Sequence, residues 1–298
     1  MAERMVKSNG MELWTESFGE PGNPPILLVM GASAQGILWP EELINLLVAG
    51  GHYVIRYDHR DTGQSTVIDF QKNPYTLEDL AKDAMGVLDA YGIAAAHLVG
   101  ASMGGMICQL MSIRHPERVL SLTVMMSTPL RTGVVETFAL AFQGQATTEG
   151  LPPPAPRAIE VFLAAAANPP TNLQEAIDHQ VKVARAMAGS VAPFDEQECR
   201  RTVERIFQRA RNPASSANHG LVPSPTHEQA EALKNLHVPT LVIHGTDDPM
   251  FPPAHGVAAA ERIPGARLLM LEGLGHDIPR PLYGEIARAL LSHTGARA

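Results

Sequence analysis

Up to Met126 the chain alternates short, unbroken apolar runs with longer segments in which apolar residues recur every three or four positions. Ile26-Leu27-Leu28-Val29-Met30 carries no polar alternation, which predicts a parallel strand over Pro25–Met30 covered on both faces, with a helix over Pro40–Val48 after it. His52–Tyr57 reads as the next strand. Thr76 then caps a helix running to Tyr91, with Leu77, Leu80, Ala84, Val87 and Leu88 on one face. His97–Ala101 and Met103–His115 form a third strand and helix, and Val119–Met126 a further strand. Ahead of them, Met11–Phe18 alternates loosely and ends in a Gly/Pro turn, the signature of an antiparallel edge strand. This rhythm predicts an α/β fold with a mostly parallel sheet and right-handed crossovers.

The rhythm lapses between Ser127 and Pro225. Helical stretches at Arg157–Ala167, Leu173–Met187 and Glu196–Arg211 occupy that span, separated by prolines. Strand character resumes at Thr240–Gly245, followed by a helix at Ala254–Arg262, a strand at Ala266–Leu271 and a closing helix at Leu282–His293. Residues 1–126 and 226–298 are therefore expected to build one core, with 127–225 inserted as a helical cap.

Chemistry concentrates at strand ends. Ser102 sits in Gly100-Ala101-Ser102-Met103-Gly104, between a strand and a helix, where the serine takes a strained conformation and the glycines leave room for it. The hydroxyl then stands above the sheet edge, beside the Met103 N–H at a helix N-terminus. A serine hydroxyl needs an imidazole to accept its proton and a carboxylate to fix that ring. Twelve histidines compete for the post. His276, in Gly273-Leu274-Gly275-His276-Asp277 after the final strand, fits best; His59, His244 and His255 also lie at strand ends, whereas His115, His179 and His293 fall on helices and read as solvated surface. The acid is Asp248 or Asp247. Pro249 restricts Asp248 to the extended region and favours it, leaving Asp247 as a turn residue. The order Ser…Asp…His is the one this architecture uses.

Composition narrows the partners. A net charge of −8, from 23 basic and 31 acidic residues, with no basic run, argues against nucleic acid and anionic membrane. Cys108 and Cys199 are isolated, so neither a disulfide framework nor a metal cluster is implied, and no phosphate loop or dinucleotide fingerprint calls for a cofactor. Charges fall where a secretory leader would need its apolar run, and no stretch of eighteen apolar residues occurs, so a soluble, cytoplasmic protein is expected.

At this point the sequence resembles the α/β-hydrolase superfamily over essentially its whole length. Gly100 to Gly104, Asp248 before Pro249-Met250-Phe251-Pro252, and Gly275-His276 match the family's nucleophile, acid and base stations. Leu27 to Gly31, Trp39-Pro40 and above all Arg56-Tyr57-Asp58-His59-Arg60-Asp61-Thr62-Gly63-Gln64-Ser65 resemble the aclacinomycin methylesterase-like hydrolases, which cleave a carboxylic methyl ester on an anthracycline. The resemblance implies an eight-stranded sheet and an oxyanion hole made by the N–H groups of Ala32 and Met103. Met30 stands where many relatives carry a histidine before the oxyanion glycine.

The expected activity is that of a serine carboxylesterase acting through an acyl-enzyme on a small or polycyclic apolar ester, methyl esters included, with no metal and no cofactor. Ser102 speaks against the aspartate-nucleophile dehalogenases and epoxide hydrolases, and the absence of Gly-Pro-Gly after Gly31 speaks against carbon–carbon bond hydrolases. Cofactor-free perhydrolase or haloperoxidase-like activity and lactonase activity remain alternatives, as does a non-catalytic small-ligand receptor on the same fold. Gly31, Phe138, Phe142, Phe162, Met187, Phe194 and Phe207 are candidates to line the substrate cavity. Arg60 reads either as a brace for its loop or as a clamp for a substrate carboxylate.

Overall fold

The computed structural model describes residues 2–145 and 150–295; Met1, residues 146–149 of the expected cap and residues 296–298 of the expected core lie outside the described residues. Eight strands form one sheet: β1 (Ala2–Ser8), β2 (Met11–Phe18), β3 (Pro25–Val29), β4 (Tyr53–Tyr57), β5 (Ala96–Ala101), β6 (Val119–Met125), β7 (Thr240–Gly245) and β8 (Arg267–Leu271). Their order is β1-β2-β4-β3-β5-β6-β7-β8, antiparallel as far as β2–β4 and parallel beyond. Leu27 of β3 lies between Ile55 of β4 and Leu98 of β5, so the continuous apolar runs stack at the centre of the sheet.

The core helices are α1 (Glu41–Ala49), α2 (Leu77–Ala90) and α3 (Met103–Arg114). Between β6 and β7 come α4 (Val134–Phe142), α5 (Pro156–Ala167), α6 (Leu173–Met187), α7 (Glu196–Arg209) and α8 (His227–Ala232), and then α9 (Ala254–Arg262) and α10 (Tyr283–Thr294). Successive strand residues point to opposite faces, and each face has its own helices. Leu27, Ile55, Leu98 and Val124 pack in one cluster with Leu80, Val87, Ile107 and Ala259 of α2, α3 and α9. Ile26, Leu28, Val54 and Val99 pack with Leu43, Leu47, Ile286 and Leu290 of α1 and α10.

Strand β1 has no counterpart in the sequence reading. Its only buried hydrophobic residue is Val6, so it shows no apolar run; it is held by pairing to β2, by Trp14 Nε1 donating to Glu3 at 3.1 Å, and by Arg4 lying 3.6 Å over the Tyr91 ring. His293 departs from its expected solvated role, because its Nε2 donates to the Leu122 carbonyl at 3.0 Å. Helix α7 stops two residues short of Arg211, whose N–H turns inward to the Gly63 carbonyl at 2.8 Å.

Among the described residues no strand occurs between β6 and β7. Ile177 and Val181 of α6 and Val203 of α7 make a small apolar cluster of their own. No helix of the described residues is long and apolar enough to cross a membrane.

Candidate active site

Ser102 occupies the turn between β5 and α3 with φ 54° and ψ −124°, a conformation L-residues rarely adopt. Two neighbouring positions show why only glycine fits around it. A Cβ on Gly100 would lie 2.2 Å from the Gly104 carbonyl oxygen, and one on Gly104 would lie 2.1 Å from that of Val29. The turn is tied to β6 as well: Ser102 N donates to the Met125 carbonyl at 2.9 Å, and Ser127 Oγ donates to the Ser102 carbonyl at 2.6 Å.

His276 arrives from the loop after β8 and stands 3.1 Å from Ser102 Oγ through Nε2. Its Nδ1 lies 2.9 Å and 3.1 Å from Asp248 Oδ2 and Oδ1. An ionised carboxylate only accepts, so Nδ1 carries the proton and Nε2 is free to accept one from the hydroxyl. Asp248 is itself fixed, because Oδ1 accepts the N–H groups of Met250 and Phe251, each at 2.9 Å. Burial works to lower the His276 pKa, but the Asp248 charge and hydrogen bond together outweigh it and leave the imidazole above its ordinary value.

Asp247 points elsewhere. Its carboxylate accepts Ser190 N at 3.1 Å and Thr246 Oγ1 at 3.2 Å, closing the turn after β7 rather than meeting an imidazole. The competing histidines are likewise engaged away from Ser102. His59 Nε2 donates to the Met30 carbonyl at 2.8 Å and His244 Nε2 to that of Phe251 at 2.8 Å, while His255 bridges Thr128 Oγ1 and the Pro152 carbonyl, each at 2.9 Å. Arg60 makes a bidentate pair with Asp83 of α2 at 2.7 Å, both side chains buried, and so braces its loop.

Of the cavity candidates, Gly31 abuts the serine: a Cβ there would come within 3.0 Å of Ser102 Cβ and 3.4 Å of Oγ. Ala32 follows it, and Met103 opens α3; among the described residues neither N–H has an acceptor within the protein. Phe138 reaches the site through Phe251, whose ring centroid is 5.6 Å from Phe138 and 5.7 Å from His276. Phe251 is not among the cavity candidates read from the sequence, although it lies three residues after Asp248 in a Pro-flanked segment. Met187 contributes its carbonyl, which accepts His276 N at 2.8 Å. Phe142 and Phe162 pair with each other, and Phe194 and Phe207 pack on Ile177, Val181 and Val203, contacts that all lie within the insertion.

The sequence matches the α/β hydrolase fold family over residues 24–279. It is 36% identical over 296 residues to the rhodomycin D methylesterases of Streptomyces sp. strain C5 and Streptomyces peucetius, covering 99% of this chain and of each of theirs. In three dimensions it superposes on the esterase RhEst1 from Rhodococcus sp. with a TM-score of 0.75 at 22% identity, covering 98% of this chain and 99% of that one. The 2-hydroxy-6-oxo-6-phenylhexa-2,4-dienoate hydrolase of Rhodococcus sp. strain RHA1 gives a TM-score of 0.77 at 19% identity over 99% of both chains, which is a likeness of fold. With the match running from the strand before Gly31 past His276, and with full-length esterase relatives beside it, the chain belongs to the α/β-hydrolase fold family and is a hydrolase.

Proposed function

We propose that the protein is a serine carboxylesterase in which Ser102 is the nucleophile, His276 the general base and acid, and Asp248 the residue that orients His276. The observation that carries this reading is the hydrogen-bonded series from Ser102 Oγ through His276 to Asp248, at 3.1 Å and 2.9 Å. Ser102 Oγ attacks the ester carbonyl as its proton passes to His276 Nε2. The tetrahedral oxyanion is held by the N–H groups of Met103 and Ala32, and its collapse expels the alcohol, which takes the proton from His276. Water, deprotonated by the same imidazole, then releases the acid from Ser102 and restores the enzyme.

The substrate class follows from the relatives and the surroundings of the site. The described residues of 127–225 act as a cap, whose Phe138 meets Phe251 of the core to make an apolar edge beside His276. With two rhodomycin D methylesterases among the relatives and an apolar edge beside the base, we take the substrate to be a methyl ester on an apolar, polycyclic acid in preference to a long-chain ester. The test is methanol release from polycyclic and aromatic methyl esters, run beside p-nitrophenyl esters from acetate to palmitate, a lactone set and peracetic acid formation. Ser102→Ala is expected to lose on the order of 10⁴-fold or more in kcat while remaining folded. Undiminished turnover in that variant overturns the serine assignment, and dominant peracid or lactone turnover in the wild type moves the activity to the corresponding alternative.

A further inference from the structure

Three peptide units surround the expected oxyanion donor, and the two outer ones are each held by an imidazole. The Met30 carbonyl, in the unit before Gly31, accepts from His59 Nε2 at 2.8 Å. Ser33 N, in the unit after Ala32, donates to His219 Nδ1 at 2.8 Å. The unit carrying the Ala32 N–H lies between them. His219 comes from the far side of the insertion, in a series of tight turns over Pro213–Leu221 that follows α7, yet its side chain is buried against the core.

The ring can hold Ser33 in one protonation state only. His219 Nε2 lies 2.9 Å from the Arg60 carbonyl, which cannot donate, so Nε2 carries the proton and Nδ1 is bare to accept Ser33 N–H. Burial enforces this neutral form by pulling the imidazole down to about 4. The two histidine rings also meet edge to face, 5.7 Å apart.

Ser33 needs holding. Its φ of 62° places an L-residue in the left-handed region, a strain that persists only where neighbours over-determine it. Besides the bond to His219, its hydroxyl donates to the Ser216 carbonyl at 2.7 Å. Two residues on, Gln35 Nε2 donates to the Ile206 carbonyl at 2.9 Å and its Oε1 accepts Arg209 at 2.6 Å. Among the described residues, every side-chain hydrogen bond of Ser33 and Gln35 thus runs to residues 206–219 of the insertion.

We infer that His219 is a positioning residue for catalysis: by fixing the Ala32–Ser33 peptide it aims the Ala32 N–H, so this part of the insertion sets the oxyanion hole instead of only covering the substrate. The inference rests on the reading of Ala32 as an oxyanion donor. A donor of this kind counts only while pre-aimed, and misplacement by about 1 Å costs on the order of 10²-fold.

The experiment compares His219→Ala and His219→Gln with the wild type, using p-nitrophenyl acetate kinetics and the rate of fluorophosphonate labelling at Ser102. His219→Ala is expected to lower kcat by about 10- to 100-fold with KM within about threefold, and to slow labelling in parallel. Gln offers one acceptor and one donor at the imidazole's spacing, so His219→Gln recovers most of the loss. A merely structural role would lower stability in both variants and leave kcat per folded molecule untouched. Wild-type kcat and labelling in folded His219→Ala overturn the inference, as does a Gln variant as impaired as the Ala one. If His219→Ala does not fold, His219→Met fills the space without a comparable acceptor and takes its place in the same comparison. Wild-type protein that fails to label at Ser102, with Ser102→Ala as the blank, overturns the serine reading itself, a result separate from normal labelling of wild type and His219→Ala alike.

Discussion

Asp248 Oδ1 accepts two backbone N–H groups from its own turn while Oδ2 lies 2.9 Å from His276 Nδ1, so the acid is anchored before it orients the base. That relationship sets the acid limb of activity. Only neutral His276 can accept the serine proton, and its pKa is raised above 6.5, so kcat/KM is expected to climb with pH through a midpoint above 6.5. In Asp248→Asn the charge that raises it is gone and burial remains, so the midpoint moves to lower pH while kcat falls roughly 10⁴-fold through the wrong tautomer. Asp247→Asn, which alters only a turn, keeps kcat within about threefold. A pH–rate series on the three proteins checks this, and equal losses in both variants would sink the choice of Asp248.

Much of the sheet was legible because its strands are buried on both faces and therefore read as unbroken apolar runs; β3 and β5 show this most plainly. The approach of Ser102, Asp248 and His276 could be anticipated for a related reason: Ser102 and Asp248 follow the buried strands β5 and β7, His276 follows the half-exposed edge strand β8 that still reads as an apolar run, and a parallel sheet gathers its carboxyl ends along one edge. Strand β1 was not legible, since an exposed edge strand with Val6 as its only buried hydrophobic residue carries no periodic signal. Nor was the role of His219, which is defined by Ser33 and Arg60 far away in sequence, or that of Met187, which meets His276 through a backbone carbonyl that any residue would supply. Side-chain type announces chemistry, but backbone contacts across an insertion leave no trace in composition.

The loop carrying His276 packs against the end of α6 with no room to spare. A Cβ on Gly189 would lie 2.0 Å from the Gly273 carbonyl oxygen and 2.3 Å from Gly275 N, both backbone atoms that cannot yield without moving His276. Gly189→Ala is therefore expected to lower kcat by about 10²-fold through displacement of the base, with a smaller effect on melting temperature. By contrast, a Cβ on Gly220 meets nothing within 4 Å, and Gly220→Ala serves as the control that leaves kcat unchanged. Kinetics and thermal melts on both variants decide it; an active Gly189→Ala would show that the loop relaxes.

Arg60 and Asp83 form a buried, bidentate pair, and breaking such a pair leaves a lone charge in the interior. Arg60→Leu is expected to destabilise by about 3–5 kcal/mol, whereas the double variant with Asp83→Leu recovers a large part of that. Because the side chain braces its loop and does not face Ser102, KM for an uncharged ester should stay within about twofold in the folded fraction. Urea unfolding of the single and double variants measures the coupling. A large rise in KM without loss of stability would instead revive the role of Arg60 as a clamp for a substrate carboxylate.

Acid sensitivity should come mainly from buried neutral histidines. His59 is held down to about 3, and His97, His219 and His255 to about 4, in each case chiefly by burial. Unfolded, each titrates near 6.5, so the native state binds fewer protons than the unfolded state between those values. A depressed native pKa contributes stability that is complete above the unfolded value and is lost as pH falls through the native one. Asp277 works in the opposite direction, because burial raises its carboxyl to about 6 and the native state therefore holds a proton there at pH 5. Asp58 and Asp83, whose carboxyls burial also raises, act in the same direction as Asp277. Unfolding at pH 5 is then expected to take up on the order of two to three protons, a loss of roughly 3–4 kcal/mol of stability per pH unit. Urea titrations between pH 7 and 4.5 measure the slope directly. His219→Gln should reduce the uptake by about one proton and Asp277→Asn should increase it by about one, so an unchanged slope in both variants would refute this origin of acid sensitivity.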